Sequence, residues 1–257
     1  MVSAEQKWPD CLWIVRHGES SSNVARRHAY ENGLPRIVTP ERDVDVPLSP
    51  LGEQQARALG RWFGGLAPER RPTAVRASCY VRAMRTAGLI CEEAGLDLDD
   101  MDFIRDERLR EQEFGIIDRL TRDGIDRHHP EQAELRAKFG KFYHRPPGGE
   151  SWCDVILRLR SVIDTLTRDY RGERVLIVCH SVVVSCFRYL LERMTEQEIL
   201  DIDRQDEVAN CSVTRYEFDP SAGKRGKLVL REYNFVAPLV EEGASITSEP
   251  DARAPGP

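Results

Sequence analysis

The sequence predicts an α/β protein, a three-layer sandwich with a mostly parallel central sheet. Two short apolar runs, Cys11-Leu12-Trp13-Ile14-Val15 and Val175-Leu176-Ile177-Val178-Cys179, show no polar alternation. That pattern suits strands buried on both faces, the habit of parallel sheets. Stretches of helical periodicity separate the strand signals, as crossover connections require. With 257 residues, 40% of them hydrophobic, the chain can bury one sizeable core, so residues 1–240 are expected to form a single domain.

The elements follow in order. After the first strand and a turn at Arg16-His17-Gly18, residues 23–30 read as a short helix. Residues 31–47 are polar and irregular. Ser49-Pro50 is a helix start, a capping side chain followed by proline in the first turn, and Gly64-Gly65 ends that helix. Residues 73–77 form a short second strand, and residues 80–94 a helix closed by Gly95. A third strand and a long charged excursion occupy 96–130, with a helix over 131–142. Ser151-Trp152-Cys153-Asp154 matches a capping box ahead of an amphipathic helix carrying Val155, Leu159, Val162, Ile163 and Leu166 on one face. The strand at 175–179 leads into an apolar helix over 182–194, and Thr195 caps one more. Residues 212–218 and 228–235 alternate like a hairpin. Residues 241–257, rich in Glu, Ser, Ala, Gly and Pro, read as a disordered tail.

Composition excludes several classes. The net charge of -6 offers no global basic field for nucleic acid or an anionic membrane. No stretch approaches the ~20 apolar residues of a membrane span, and the first ten residues lack a signal core. The seven cysteines are scattered, with no CxxC pair, so neither a zinc knuckle nor a disulfide frame is indicated. A reducing, cytoplasmic setting is expected. Oligomeric state, including a homo-oligomer, is left open.

The chemistry lies at two strand ends. His17 and His180 each stand where a buried strand stops and a helix begins, the edge at which open α/β sheets bind ligands. Arg16 adjoins His17, and Arg82, near the start of the helix after the second strand, can reach the same edge. Arginine forks suit phosphate oxygens, and a neutral histidine held in one tautomer is a competent nucleophile. Glu111 or Glu113 could give the leaving oxygen its proton. Alone, either histidine is more often a satisfied residue; with Arg16 and Arg82 in order, a phosphoryl site is the stronger reading. Asn23 fits a helix cap as well as a phosphate contact. His128 and His129 read as solvated loop residues, and Cys179 as a small core residue beside the site.

These residues resemble the histidine phosphatase superfamily, the branch with the cofactor-dependent phosphoglycerate mutases and fructose-2,6-bisphosphatase. The resemblance runs from about Cys11 to Tyr216. It rests on Arg16-His17-Gly18 with Asn23 six positions after the histidine, the helix start at Leu48–Ala56, the second-arginine stretch Ser78–Ala87, Glu111–Gly115, and Val178-Cys179-His180, all in the family order. It implies a phosphoglycerate mutase-like fold, His17 as a phosphohistidine nucleophile, Arg16, Arg82, His180, Asn23 and Ser181 around the phosphoryl group, and Glu111 as acid then base. No metal and no other cofactor are implied. Ser181 stands where the family usually has glycine. Gly149-Glu150-Ser151 and Asn210–Thr214 resemble phosphatase members more than mutases. The expected activity is metal-independent hydrolysis of a small phosphorylated metabolite. The alternatives are a 2,3-bisphosphoglycerate-dependent mutase and a catalytically silent phospho-ligand binding protein. Segments 31–47 and 116–150 are expected to form a cap, with Arg36, Arg42, Arg127, His128, His144 and Arg145 suited to a second anionic group.

Overall fold

A computed structural model describes residues 6–97 and 101–248. Its centre is a six-stranded sheet in the order β3-β2-β4-β1-β5-β6. The strands are β1 (Cys11–Arg16), β2 (Ala74–Ser78), β3 (Asp102–Asp106), β4 (Arg174–Cys179), β5 (Val213–Asp219) and β6 (Lys227–Phe235). β1 pairs in parallel with β4, β4 with β2 and β2 with β3, whereas β5 and β6 run antiparallel as the hairpin pattern predicts. The parallel strands β1, β2 and β4 are the ones without alternation, because helices cover both their faces.

The helices are α1 (Ser21–Glu31), α2 (Pro50–Gly65), α3 (Val81–Ala94), α4 (Arg122–His128), α5 (Pro130–Tyr143), α6 (Trp152–Asp169), α7 (Ser181–Glu192), α8 (Glu196–Gln205) and α9 (Ala237–Glu241). Side chains of β1 alternate between two cores. Leu12 and Ile14 join the layer containing Trp152, Leu159 and Phe187, while Trp13 and Val15 join the layer containing Leu59, Phe63 and Ile90. Caps fall where the sequence marks them: Ser49 on α2, Ser151 with Asp154 as a capping box on α6, and Gly95 in the left-handed conformation after α3. Asn23 does not cap α1. Ser20 does, and Asn23 closes the reciprocal bond of the capping box.

The expected tail begins differently. α9 buries Leu239 against α2, and the chain stays tied as far as Thr247. Gln55 Nε2 donates to the Ser245 carbonyl at 2.8 Å, and the Thr247 carbonyl accepts from the Asn210 backbone at 2.8 Å. Composition gave this segment no apolar signal, but the Gln55 amide and the Asn210 backbone N–H satisfy two of its carbonyls. Residues 249–257 lie outside the described residues.

The turn after β1 is packed backbone to backbone against the start of α2. A Cβ on Gly52 would sit 1.9 Å from the Glu19 carbonyl oxygen, and one on Gly18 would sit 2.4 Å from that of Gly52. No side-chain rotation relieves either contact. Gly52→Ala is therefore expected to cost about 3 kcal/mol, at the upper end of overpacking effects, read as a lowered urea midpoint; an unchanged midpoint would show that the turn can move away freely.

Candidate active site

His17 leaves β1 as the strand ends, and its backbone N–H donates to Cys179 at 3.0 Å, so the β1–β4 pairing sets its position beside His180. The two imidazoles meet edge to face with centroids 5.1 Å apart. His17 Nδ1 lies 2.7 Å from the carbonyl oxygen of Gly18. A carbonyl only accepts, so Nδ1 carries the proton and the lone pair is on Nε2. Arg82 Nε donates to that lone pair at 3.3 Å. Burial, then the charges of Arg82 and Arg16, holds His17 well below its ordinary pKa of 6.5. It is a neutral imidazole with Nε2 unprotonated, the form a nucleophile needs.

The turn carrying His17 is pinned on every side. Gly18 N–H donates to Thr86 Oγ1 at 3.1 Å, and Glu19 N–H to Gln55 Oε1 at 2.8 Å. Asn210 Nδ2 donates to the His17 carbonyl at 3.0 Å and to Asn23 Oδ1 at 3.4 Å. Arg16 Nη1 donates to the Val208 carbonyl at 2.6 Å, which fixes the guanidinium from below. Asn210 thus ties the His17 turn and α1 together, a task not read from the sequence, although it lies in the Asn210–Thr214 stretch singled out there.

His180 is fully buried, with Nε2 2.8 Å from Ser78 Oγ at the end of β2, and its ring packs on Tyr80. Burial and Arg82 hold it well below 6.5 as well. Glu111 arrives from the loop after β3. Burial raises its pKa above 4.5, against the opposing pull of the Gln112 N–H and of Arg82 and Arg16. Ser181 Oγ lies 3.5 Å from Glu111 Oε2. Glu113 turns elsewhere and accepts from the Tyr80 hydroxyl at 2.9 Å.

The Gly149-Glu150-Ser151 segment supports this loop. Glu150 accepts from Arg110 Nη2 at 2.6 Å and from Arg158 Nε at 3.0 Å, and Arg158 Nη2 donates to the Glu111 carbonyl at 3.2 Å. Gly115, with φ of 54°, passes so close to the 147–149 backbone that a Cβ would meet the Pro147 oxygen at 2.1 Å. The spacing from Glu111 to Gly115 therefore has a steric reason.

One open cavity of about 120 Å³ joins these groups; Arg16, His17, Asn23, Arg82, Glu111 and Ser181 all line it. Both cap segments reach it, through Ile37 and Asp43 on one side and Asp118 and Arg119 on the other. They are stitched together by the Arg36–Leu120 bridge and by Ile37 N–H to the Arg119 carbonyl at 2.9 Å. None of Arg36, Arg42, Arg127, His128, His144 and Arg145 lines the cavity, so the expected second anion site is not built from them. Asp43, which the sequence did not single out, bonds Arg82: its carbonyl accepts from Nη1 at 2.6 Å and its carboxylate is 3.2 Å away. Among the described residues no group of His, Cys, Asp and Glu could hold a metal ion, and no helix is long and apolar enough to cross a membrane.

Comparison with known proteins gives the class. Residues 12–230 match the model of the histidine phosphatase superfamily (branch 1), and the chain belongs to that family. It is 33% identical over 199 residues to a 2,3-bisphosphoglycerate-dependent phosphoglycerate mutase of Methylobacterium sp. (strain 4-46), covering 73% of this chain and 83% of that protein. It is 30% identical over 192 residues to 6-phosphofructo-2-kinase/fructose-2,6-bisphosphatase 1 of Bos taurus, where it spans about a third (34%) of the relative and 74% of this chain. Among solved structures, YhfR of Bacillus stearothermophilus superposes with a TM-score of 0.68 at 26% identity, covering 89% of this chain and 98% of that one. A mycobacterial glucosyl-3-phosphoglycerate phosphatase in complex with VO3 gives 0.66 at 25%, with 88% and 100% covered.

The buried histidines, His17 and His180 with His144 adding a smaller share, make stability depend on pH. They stay neutral in the fold and take protons when it opens, so the unfolded chain binds more protons below its ordinary histidine pKa. Stability is lost as pH falls through 6.5 toward the lower folded values. Glu111, raised above 4.5, opposes this only nearer the carboxylate range. Urea midpoints are expected to fall steadily from about pH 7 to about pH 5.5; a flat profile there would contradict neutral buried histidines.

Proposed function

We propose that the protein is a metal-independent phosphomonoester hydrolase working through a phosphohistidine on His17. The observation that carries this reading is the neutral His17 lining the cavity with Arg16 and Arg82, its Nε2 accepting from Arg82 while Gly18 holds the proton on Nδ1. Nε2 attacks phosphorus in line with the leaving oxygen, and the phosphorus–oxygen ester bond breaks. Glu111, whose pKa burial raises toward the protonated form, gives its proton to that oxygen. The Gly18 carbonyl, 2.7 Å from Nδ1, stabilises the positive charge that the ring gains. Arg16 and Arg82, which line the cavity, spread the charge of the equatorial oxygens, and His180 packs behind His17. Water then attacks phospho-His17, Glu111 takes its proton, and phosphate leaves with His17 neutral again.

The mutase reading is the second one, favoured by the 33% identity to a phosphoglycerate mutase. It uses the same floor. A mutase must also hold a bisphosphorylated species while that species turns round, and beyond Arg16 and Arg82 this cavity holds more carboxylates than arginines. That balance favours release over retention.

Rapid-quench labelling should trap acid-labile, alkali-stable phosphate on His17, and His17→Ala should lose several orders of magnitude in turnover. Full turnover by that variant would remove the nucleophile assignment. Activity should survive excess EDTA. Incubation with 3-phosphoglycerate and 2,3-bisphosphoglycerate should yield little 2-phosphoglycerate; rapid bisphosphate-dependent isomerisation without phosphate release would select the mutase.

The acid has its own signature. Glu111→Gln should slow alkyl phosphates by roughly 10²–10⁴ and an activated aryl phosphate much less, since the aryl oxygen leaves without a proton. Wild-type alkyl ester hydrolysis should decline as pH rises through the raised pKa of Glu111, and the variant should lose that limb. Equal loss on both substrates would give Glu111 another role.

A further inference from the structure

The cavity changes sign above its floor. Among the described residues, Arg26 and Arg119 are the cationic side chains of the upper wall, and Asp43, Asp118, Asp203, Asp206 and Glu207 share that wall. Arg119 is engaged with the cap: Nη1 donates to the Thr39 carbonyl at 3.1 Å, Nη2 to that of Glu41, and Nε lies 3.6 Å from Asp118. Asp203 is matched by Lys141 at 2.6 Å. Asp43 faces the outer edge of Arg82 and adds its charge to that of Asp118, whose pKa is raised by burial and then by Asp43. Asp206 and Glu207 close the opposite side, past the end of α8.

The cavity is the one the hydrolase reading uses: Arg16, His17, Arg82 and Glu111 all line it. A neighbouring annex behind Phe114 and Val182 is basic, lined by Arg136, Lys141 and His144, but measures only about 20 Å³. That is room for about one water, not for a carboxylate or phosphate. His144 adds no charge there, because burial and Arg136 keep its pKa low.

We propose that Asp43, Asp118, Asp206 and Glu207 select monoesters of small neutral or cationic alcohols, whose hydroxyl or amine groups they accept, and reject leaving groups bearing a second anion. The inference rests on the hydrolase reading and names its substrate class. Carboxylates accept hydrogen bonds from hydroxyl and ammonium donors, whereas a second carboxylate or phosphate meets like charge in a partly desolvated wall. The cavity volume of about 120 Å³ suits a small alcohol.

Glycerol 3-phosphate and 3-phosphoglycerate test this directly, since one carries a hydroxymethyl where the other carries a carboxylate. We expect kcat/KM to favour glycerol 3-phosphate by at least about tenfold at low ionic strength, the scale of one like-charge contact in such a wall. Phosphoethanolamine should likewise exceed phosphoglycolate. The double variant Asp206→Asn, Glu207→Gln should narrow both ratios. Should that variant fail to fold, salt supplies the second readout, because the wild-type ratio must shrink as the Debye length falls from about 30 Å toward about 3 Å. An enzyme that cleaves p-nitrophenyl phosphate yet prefers the carboxylated member of each pair overturns the selection. A chain inactive on every ester overturns the hydrolase reading beneath it.

Discussion

The site depends on one constraint, a neutral imidazole kept with its lone pair on Nε2 beside two guanidinium groups. Arg16 and Arg82 both oppose a proton on His17, and burial opposes it more strongly. Charge alone does not choose which nitrogen is bare. The Gly18 carbonyl does that, and only from one position, 2.7 Å from Nδ1. Much of the nearby structure serves that carbonyl. The contact of Gly18 with Gly52, the bond from Gly18 to Thr86, and the bond from Glu19 to Gln55 hold the turn from separate elements. Thr86 in turn donates to the Arg82 carbonyl at 2.7 Å, so one hydroxyl fixes the turn and the helix that delivers the second arginine.

What was legible in the sequence follows from how local each cause is. Strand ends could be read because β1 and β4 are apolar without alternation, and a histidine at each end meets the other only if the strands pair in parallel. Caps could be read because Ser49, Ser151 and Thr195 act within three residues of themselves. The resemblance carried Arg82, Glu111 and His180 onto one edge, and the structure does line that edge with them or pack them behind it. Between Glu111 and Glu113 the residues alone left a choice. The turn enforced by Gly115 and the grip of Arg158 on the Glu111 backbone send the two side chains to different places.

The parts that escaped reading are long-range. Asp43 reaches Arg82 only because the cap segment 31–47 is stitched to residues 119–121 by backbone pairing. Arg36, Arg42 and Arg127 looked suited to an anion by composition, yet the cavity wall is built by Arg119, Asp43 and Asp118. The last segment misled in the opposite sense. Polar and proline-rich, it resembles a solvated tail, but Gln55 and Asn210 satisfy its backbone from within the domain. The side chains of the same two residues hold Glu19 and His17, so this segment is bonded to the supports of the His17 turn.

Floor and rim are therefore under different physical control. The floor is assembled around the ends of β1, β2 and β4, and its turn is held by the side chains of Thr86, Gln55 and Asn210. The rim comes from the stitched cap and from the chain between α8 and β5, where one charge can change without disturbing a strand. In the proposed reaction the phosphoryl group would meet His17 and the same arginines whatever alcohol it is attached to, and the alcohol would meet Asp43, Asp118, Asp206 and Glu207, which line the cavity from loops and a helix end. The same floor with a basic rim would retain a bisphosphorylated ligand; with this rim, the second charge is opposed at the distance where screening is weakest. Relatives named as mutases and as phosphatases share one family with this chain, and on the proposed reading this chain's own preference would be set at its rim.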